Sequence, residues 1–183
     1  MQSVVFIGAP GSGKSTVGKL LAEHLHVAFV DTDSVIEAKA DMSISDIFLN
    51  HDEKYFRKLE RECVASTLED AAINSVVISL GGGSVLDPET QKGLEAFHVI
   101  WLQVPIGEAM KRVGMNQARP LLLGNVRANM IKLLEQRTPI YASLANTTIE
   151  TSQLTPKECV DQILMSGALV TSIHERNDDD SAN

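Results

Sequence analysis

Three features of the chain predict an α/β domain of three layers, with helices on both faces of a parallel sheet. Short apolar runs alternate with stretches of helical period along most of its length. The run Val76-Val77-Ile78-Ser79-Leu80 is almost continuously apolar, as in a strand covered on both sides, rather than alternating as in one that faces water. No internal repeat divides the chain, so successive strands are expected to join through right-handed crossovers in a single sheet. At 183 residues, 44% of them hydrophobic, it is long enough for one domain with a substantial core.

Val4 to Ile7 is the first strand. Directly after it, Gly8-Ala9-Pro10-Gly11-Ser12-Gly13-Lys14-Ser15-Thr16 fits the phosphate-loop pattern G-x-x-x-x-G-K-S/T. Val17, Leu20, Leu21 and Leu25 then recur at helical spacing. Ala28 to Val30 is a second strand ending in Asp31-Thr32-Asp33 at the carboxyl edge of the sheet, where open parallel sheets bind ligands. Residues 34–40 read as helix, Ser43 caps a short helix reaching Phe48, and Glu53 to Leu68 is a longer one with Phe56, Leu59 and Cys63 as its apolar stripe. The third strand, Val76 to Leu80, runs into Gly81-Gly82-Gly83. Asp87-Pro88 opens a helix that ends near Phe97, because aspartate caps well and proline suits the first helical position.

Val99 to Val104 is the fourth strand, and Pro105 to Val113 the helix after it. Residues 114–124 lie between glycines, break at Pro120 and lose the helical period, so a mobile lid with an apolar underside is expected there. Arg127 to Arg137 is helical, Thr147 to Thr151 a fifth strand and Pro156 to Leu164 a last amphipathic helix. The domain is therefore set at residues 1–166. Residues 167–183, acidic and polar, are expected to be a disordered tail, with a functional acidic tail as the alternative.

A net charge of -8 and a pI near 5.1 leave no broad basic face, so neither nucleic acid nor a membrane surface is an expected partner. No apolar stretch reaches the roughly 20 residues of a membrane helix, and no signal segment opens the chain. A cytoplasmic monomer is the expectation. Cys63 and Cys159 lie far apart with no C-x-x-C partner, each on the apolar face of a predicted helix, which points to reduced core thiols.

The chemistry begins at the loop. Glycines at 8, 11 and 13 permit positive φ, turning backbone N–H groups onto phosphate oxygens at a helix N-terminus. Lys14 brings a cation to the β- and γ-phosphates and Ser15 a hydroxyl to Mg²⁺. The guanine-reading N-K-x-D is absent, and the third strand ends in Ser79-Leu80-Gly81, without the acidic residue that holds Mg²⁺ in many ATPases. That role is assigned to Asp31 and Asp33, two apart at a strand end and so projecting to the same side; alternatively, D-x-D only caps the following helix.

Arg57 and Glu60, three apart, share a helix face either as a surface ion pair or as part of a site. Arg137 follows Met130 and Leu134 at intervals of four and three, beside an inward-facing stripe where a guanidinium needs an anion; a salt bridge is the other reading. The three glycines after the third strand allow a ligand close to the backbone. Together these groups suit a small polyhydroxylated acid, with arginines on its carboxylate and acids on its hydroxyls.

Gly8-x-x-Gly11-x-Gly13-Lys14-Ser15-Thr16, Phe29-x-Asp31-x-Asp33, Phe56-Arg57-x-x-Glu60, Ser79-x-Gly81-Gly82-Gly83, Arg119-Pro120 and Arg137-x-Pro139-x-Tyr141 occur in the order and spacing of shikimate kinases. The chain resembles that family closely from about Val4 to Ile163. The resemblance implies the nucleoside-monophosphate-kinase type of P-loop fold, with a five-stranded parallel sheet in order 2-3-1-4-5. It implies ATP-dependent phosphorylation of the 3-hydroxyl of shikimate, in aromatic amino-acid biosynthesis, with Mg²⁺.

By the same resemblance Asp33, Arg57, Glu60, Gly81, Gly82, Gly83 and Arg137 bind shikimate, and Ser15 with Asp31 serves Mg²⁺. Gly11, Ser12, Gly13, Lys14, Ser15, Thr16 and Arg119 meet the nucleotide, Arg112 and Pro156 flank adenine, and Lys14, Asp33 and Arg119 are catalytic. One departure is Glu150-Thr-Ser-Gln-Leu-Thr155, where many members have a basic residue near the adenine and an aspartate before the threonine. Loose nucleotide selectivity is expected from it. The alternatives are a related small-molecule kinase, such as gluconate kinase, and an inactive nucleotide-binding relative.

Overall fold

The computed structural model describes residues 3–114, 126–167 and 169. Residues 115–124 of the expected lid, with Arg119, residues 170–183 of the expected tail and the side chain of Met130 lie outside the described residues.

Five strands, β1 (Val4–Ile7), β2 (Ala28–Asp31), β3 (Val76–Ser79), β4 (His98–Gln103) and β5 (Thr147–Glu150), form one parallel sheet in the order β2-β3-β1-β4-β5. Eight α-helices connect or flank them among the described residues: α1 (Lys14–Leu25), α2 (Thr32–Ala40), α3 (Ile44–Asn50), α4 (Glu53–Ile73), α5 (Pro88–Leu94), α6 (Ile106–Gly114), α7 (Val126–Leu144) and α8 (Pro156–Met165).

The two-residue period of β1 sorts the layers. Val4 and Phe6 face one side and pack with Val17 and Leu21 of α1 and Val160 and Ile163 of α8. Val5 and Ile7 face the other and pack with Val64 and Leu68 of α4, Leu94 of α5 and Tyr141 of α7. All four strand residues are buried, and at roughly 1.5–3 kcal/mol per fully buried aliphatic or aromatic side chain the central strand is firmly anchored. A third cluster, Ile36, Ile47, Phe56 and Cys63, ties α2 and α3 to α4. Both cysteines are buried and unpaired, as expected of core thiols. Among the described residues no helix is long and apolar enough to cross a membrane.

Several boundaries differ from the sequence reading. The second acidic residue of Asp31-Thr32-Asp33 lies on a helix, since β2 ends at Asp31 and α2 begins at Thr32. Helix α4 runs on to Ile73, with Ala71 in the core, and α5 stops at Leu94. Helix α7 continues through Pro139 to Leu144. Proline removes one N–H and leaves the carbonyl of Glu135 without its helical donor, at a residue that is exposed. Burial of Tyr141 beyond the proline repays the interruption. Ser43 and Asp87 cap α3 and α5 as their sequences predict. Thr155 and Glu158 form a capping box on α8, a signal that was present in T-x-x-E.

Candidate active site

At the carboxyl edge of the sheet, a cavity of about 500 Å³ opens between the phosphate loop and helices α2 and α3. Lys14, Ser15, Asp31, Asp33, Gly82 and Arg112 are on its wall. The loop leaves β1, and Gly8, Gly11 and Gly13 take φ of 143°, 78° and 95°, the positive values foreseen for a donor cradle. Lys14 is buried: it is 9% exposed, and its Nζ donates to the carbonyls of Gly8 and Ala9 at 2.9 and 3.0 Å. Those bonds hold the ammonium over the loop, at the mouth where phosphate charge would lie.

Asp31 caps a helix and also faces the phosphate loop. Its Oδ1 caps α2, accepting from the N–H groups of Asp33 and Ser34, while Oδ2 accepts from Ser15 Oγ at 2.5 Å. Two hard oxygens, from α1 and from the end of β2, thus meet on the cavity wall. Asp33 reaches the same cavity from the first turn of α2 rather than from the strand.

The three glycines also serve the protein's own packing. An ideal Cβ on Gly81 would stand 2.6 Å from Asp33 Oδ1 and 3.0 Å from Glu60 Oε1; one on Gly83 would stand 2.5 Å from Arg57 Nη1. A Cβ on Gly82 would lie 3.0 Å from Pro10 Cδ of the phosphate loop. The bare turn lets the protein's own charged side chains and loop close in, so it gathers the site instead of only clearing space for a ligand. Thr32 and Ser84, neither of which sequence reasoning singled out, secure this turn. Thr32 Oγ1 accepts from Gly81 N at 3.0 Å and donates to Ser79 O at 3.3 Å, and Ser84 Oγ donates to Glu60 Oε1 at 2.9 Å.

Arg57 and Glu60 do form an ion pair, with Nη1 to Oε2 at 2.6 Å, and Glu53 accepts from the Nε and Nη2 of the same arginine. Glu60 is only 4% exposed, so the pair is not a surface one. Burial pulls the Arg57 pKa down, but Glu60 and Glu53 outweigh it and hold the guanidinium above its ordinary value.

Arg137 is buried and donates Nη1 to Gly82 O at 3.0 Å. Among the described residues it makes no salt bridge, which leaves the salt-bridge reading without a partner. Tyr141 Oη donates to the same carbonyl at 2.6 Å.

Of the pair expected beside the nucleotide base, only Arg112 is on the cavity wall. Its Nη1 donates to Gly11 O at 3.4 Å and Thr151 Oγ1 at 3.2 Å, and Nη2 donates to Thr151 O at 3.0 Å. Pro156 is exposed at the first position of α8. Thr151, at the end of β5, joins Arg112 to Ser12 O and Gln103 O, and its side chain is another that sequence reasoning did not mark. Ser12 Oγ is buried without a partner among the described residues.

A phosphate loop facing an arginine- and carboxylate-lined glycine turn agrees with the comparisons. The family model described as Shikimate kinase matches residues 10–166. The chain belongs to the shikimate kinase family. Among its shikimate kinase relatives, that of Thermobifida fusca is 49% identical over 159 residues, covering 87% of this chain and 91% of the relative. The structure of shikimate kinase from Acinetobacter baumannii in complex with shikimate superposes with a TM-score of 0.85 at 30% identity, covering 91% of this chain and 92% of that one. A gluconokinase from Sinorhizobium meliloti has a TM-score of 0.57 at 17% identity, with 91% of each chain covered, and shares the fold alone.

Proposed function

We propose that this member of the shikimate kinase family transfers the γ-phosphoryl group of ATP to the 3-hydroxyl of shikimate, giving shikimate 3-phosphate and ADP in aromatic amino-acid biosynthesis. The observation that carries the reading is the meeting, around one cavity, of the Lys14–Ser15 phosphate loop with Asp33 and the Gly81–Gly83 turn, behind which Arg57, Glu60 and Arg137 are held. A phosphate donor and a small acid with hydroxyl groups each find their counterpart there.

Phosphoryl transfer asks mainly for alignment and charge neutralisation, because the transition state spreads its charge over phosphoryl oxygens. Lys14 and the loop N–H groups are in place beforehand for that charge, fixed by the Gly8 and Ala9 carbonyls. Asp33 orients the acceptor hydroxyl and takes its proton as the O–P bond forms. Arg57 and Arg137 bind the acceptor carboxylate, and Glu60 holds Arg57 in position. Arg119 is assigned to the phosphates on its motif, and Arg112 to the base side of the nucleotide on its contact with Gly11.

The paired oxygens of Ser15 and Asp31 suit Mg²⁺, which takes one or two protein oxygens and fills its remaining positions with phosphate and water. When bound, the ion neutralises phosphate charge and fixes phosphate orientation. We further propose that the protein is a cytoplasmic monomer acting on the small molecules ATP and shikimate.

Transfer from labelled ATP to a panel of sugar acids tests the function. Phosphorylation of shikimate alone is expected; phosphorylation of another acid, or of none, would replace this reading.

A further inference from the structure

Two side chains of α7 converge on one oxygen. Tyr141 Oη and Arg137 Nη1 both donate to the Gly82 carbonyl, at 2.6 and 3.0 Å, and the two residues are 1% and 6% exposed. Four residues apart on a helix, they lie one above the other on a single face, and a carbonyl has lone pairs for both. Nη1 of Arg137 is thereby committed to the protein. Its Nε, by contrast, is buried and has no hydrogen-bond partner among the described residues. An unpaired buried guanidinium N–H is costly, and native proteins keep such a group where another species completes the bond. The turn that carries this carbonyl packs closely on the phosphate loop: a Cβ on Gly82 would stand 3.0 Å from Pro10 Cδ and 3.3 Å from Gly8 O.

We propose that Tyr141 is a positioning residue for acceptor binding: through the shared Gly82 carbonyl it fixes the roll of the Arg137 guanidinium, so that the Nε edge is kept for the acceptor's carboxylate. The inference rests on the shikimate reading and gives a task to the tyrosine of Arg137-x-Pro139-x-Tyr141. The phenol suits that task. It is rigid, it carries one polar atom, and burial pushes it up to about 12, so it stays a neutral donor at any pH where transfer is measured. Without the hydroxyl, Arg137 keeps its charge but shares the carbonyl with nothing and turns more freely, and a planar fork that turns loses its two-point grip on a carboxylate.

The test is Tyr141→Phe, which keeps the ring packed near Trp101, 6.0 Å between centroids, and removes only the hydroxyl. The KM for shikimate should rise roughly tenfold, the worth of a hydrogen bond to a charged group, while the KM for ATP stays within about twofold. A packing role alone would instead lower Tm and leave the KM for shikimate unchanged, and that result overturns the proposal. A second arm uses shikimate methyl ester, whose carboxylate is masked: parent and variant should handle it with the same KM, and an equal loss on both acceptors also overturns it.

Should Tyr141→Phe fail to fold, the parent decides through the Nε–H resonance of Arg137, assigned by its disappearance in Arg137→Lys. Movement of that resonance on adding shikimate is expected, and a stationary resonance at saturating shikimate rejects the proposal. Failure of the shikimate reading has its own signature, because the parent enzyme would then leave shikimate unphosphorylated.

Discussion

The carboxylate of Asp33 occupies the space in which a side chain at Gly81 would begin, 2.6 Å from the ideal Cβ position. No real Cβ contact is that short, so Gly81→Ala must push Asp33 aside or shift a turn that is pinned by Thr32. We expect a folded variant about 1–3 kcal/mol less stable, the usual cost of overpacking. It should bind ATP almost normally and phosphorylate shikimate at least about tenfold more slowly, since displacement of a base from its working position is felt in the chemical step. Steady-state kinetics with each substrate varied decides the matter; an unchanged kcat would detach Asp33 from the chemistry.

Asp31 and Asp33 stand in different environments and should fail differently. Asp31→Asn keeps the cap on α2, because asparagine caps as well as aspartate, but removes the charge beside Ser15. Its Mg²⁺ requirement should rise while the KM for shikimate holds. Asp33→Asn should bind Mg-ATP normally and lose transfer by about 100-fold or more, the range of general-base contributions. Identical Mg²⁺ titrations for both variants would abolish this division of labour.

Lys14→Ala should lose transfer and some stability as well. The ammonium is buried and donates to two loop carbonyls, so its removal leaves both acceptors short of a donor at about 1–3 kcal/mol. Urea denaturation of the variant is expected to show that loss, with turnover of shikimate below detection. A folded variant with parental turnover would remove Lys14 from the mechanism.

For Arg57 the substitution chosen matters. Arg57→Ala strands the buried Glu60 carboxylate, and breaking a buried pair costs about 3–5 kcal/mol. Arg57→Lys retains a cation but not the fork that engages Glu60 and Glu53 together. The lysine variant should therefore fold, bind shikimate more weakly and bind ATP as the parent does, by calorimetric titration. Equal shikimate affinity in parent and variant would exclude Arg57 from acceptor binding.

His98 predicts a pH effect on stability. Burial holds its imidazole below the ordinary histidine range, while Nε2 lies 2.9 Å from Thr147 Oγ1. As pH falls through the ordinary range near about 6.5, the unfolded chain binds a proton there before the folded one does, so stability declines toward acid. Denaturation midpoints at pH 7.5 and 5.5 should differ less in His98→Gln than in the parent. The same difference in both would assign the effect elsewhere.

Most of the fold was legible because two periodicities and a few caps are local signals. The sheet strands, the loop between β1 and α1, and the caps at Ser43 and Asp87 all follow from short stretches of sequence. What escaped depends on contacts between distant segments. Nothing local marks Thr32 as the partner of Gly81, Ser84 as that of Glu60, or Thr151 as that of Ser12, separations of 49, 24 and 139 residues. Asp33 was placed on the wrong element because Asp31 ends a strand and caps a helix at once, so the strand period was carried two residues too far. The helix read from the sequence stopped at Arg137, because local signals do not carry the burial of Tyr141 beyond Pro139.

Strand order also decides which parts of the site open first. The phosphate loop hangs from β1, which has a strand on either side and a helical layer on each face, whereas Asp31 ends β2, a half-exposed strand at the sheet's border. Fluctuations that loosen the border therefore need not reach the centre, and amide exchange should set in around β2 and α2 well before β1 gives up its protons. The cavity wall that carries Asp31 and Asp33 is thus expected to yield and re-form, while the phosphate loop, hung from a strand inside the sheet, keeps its shape.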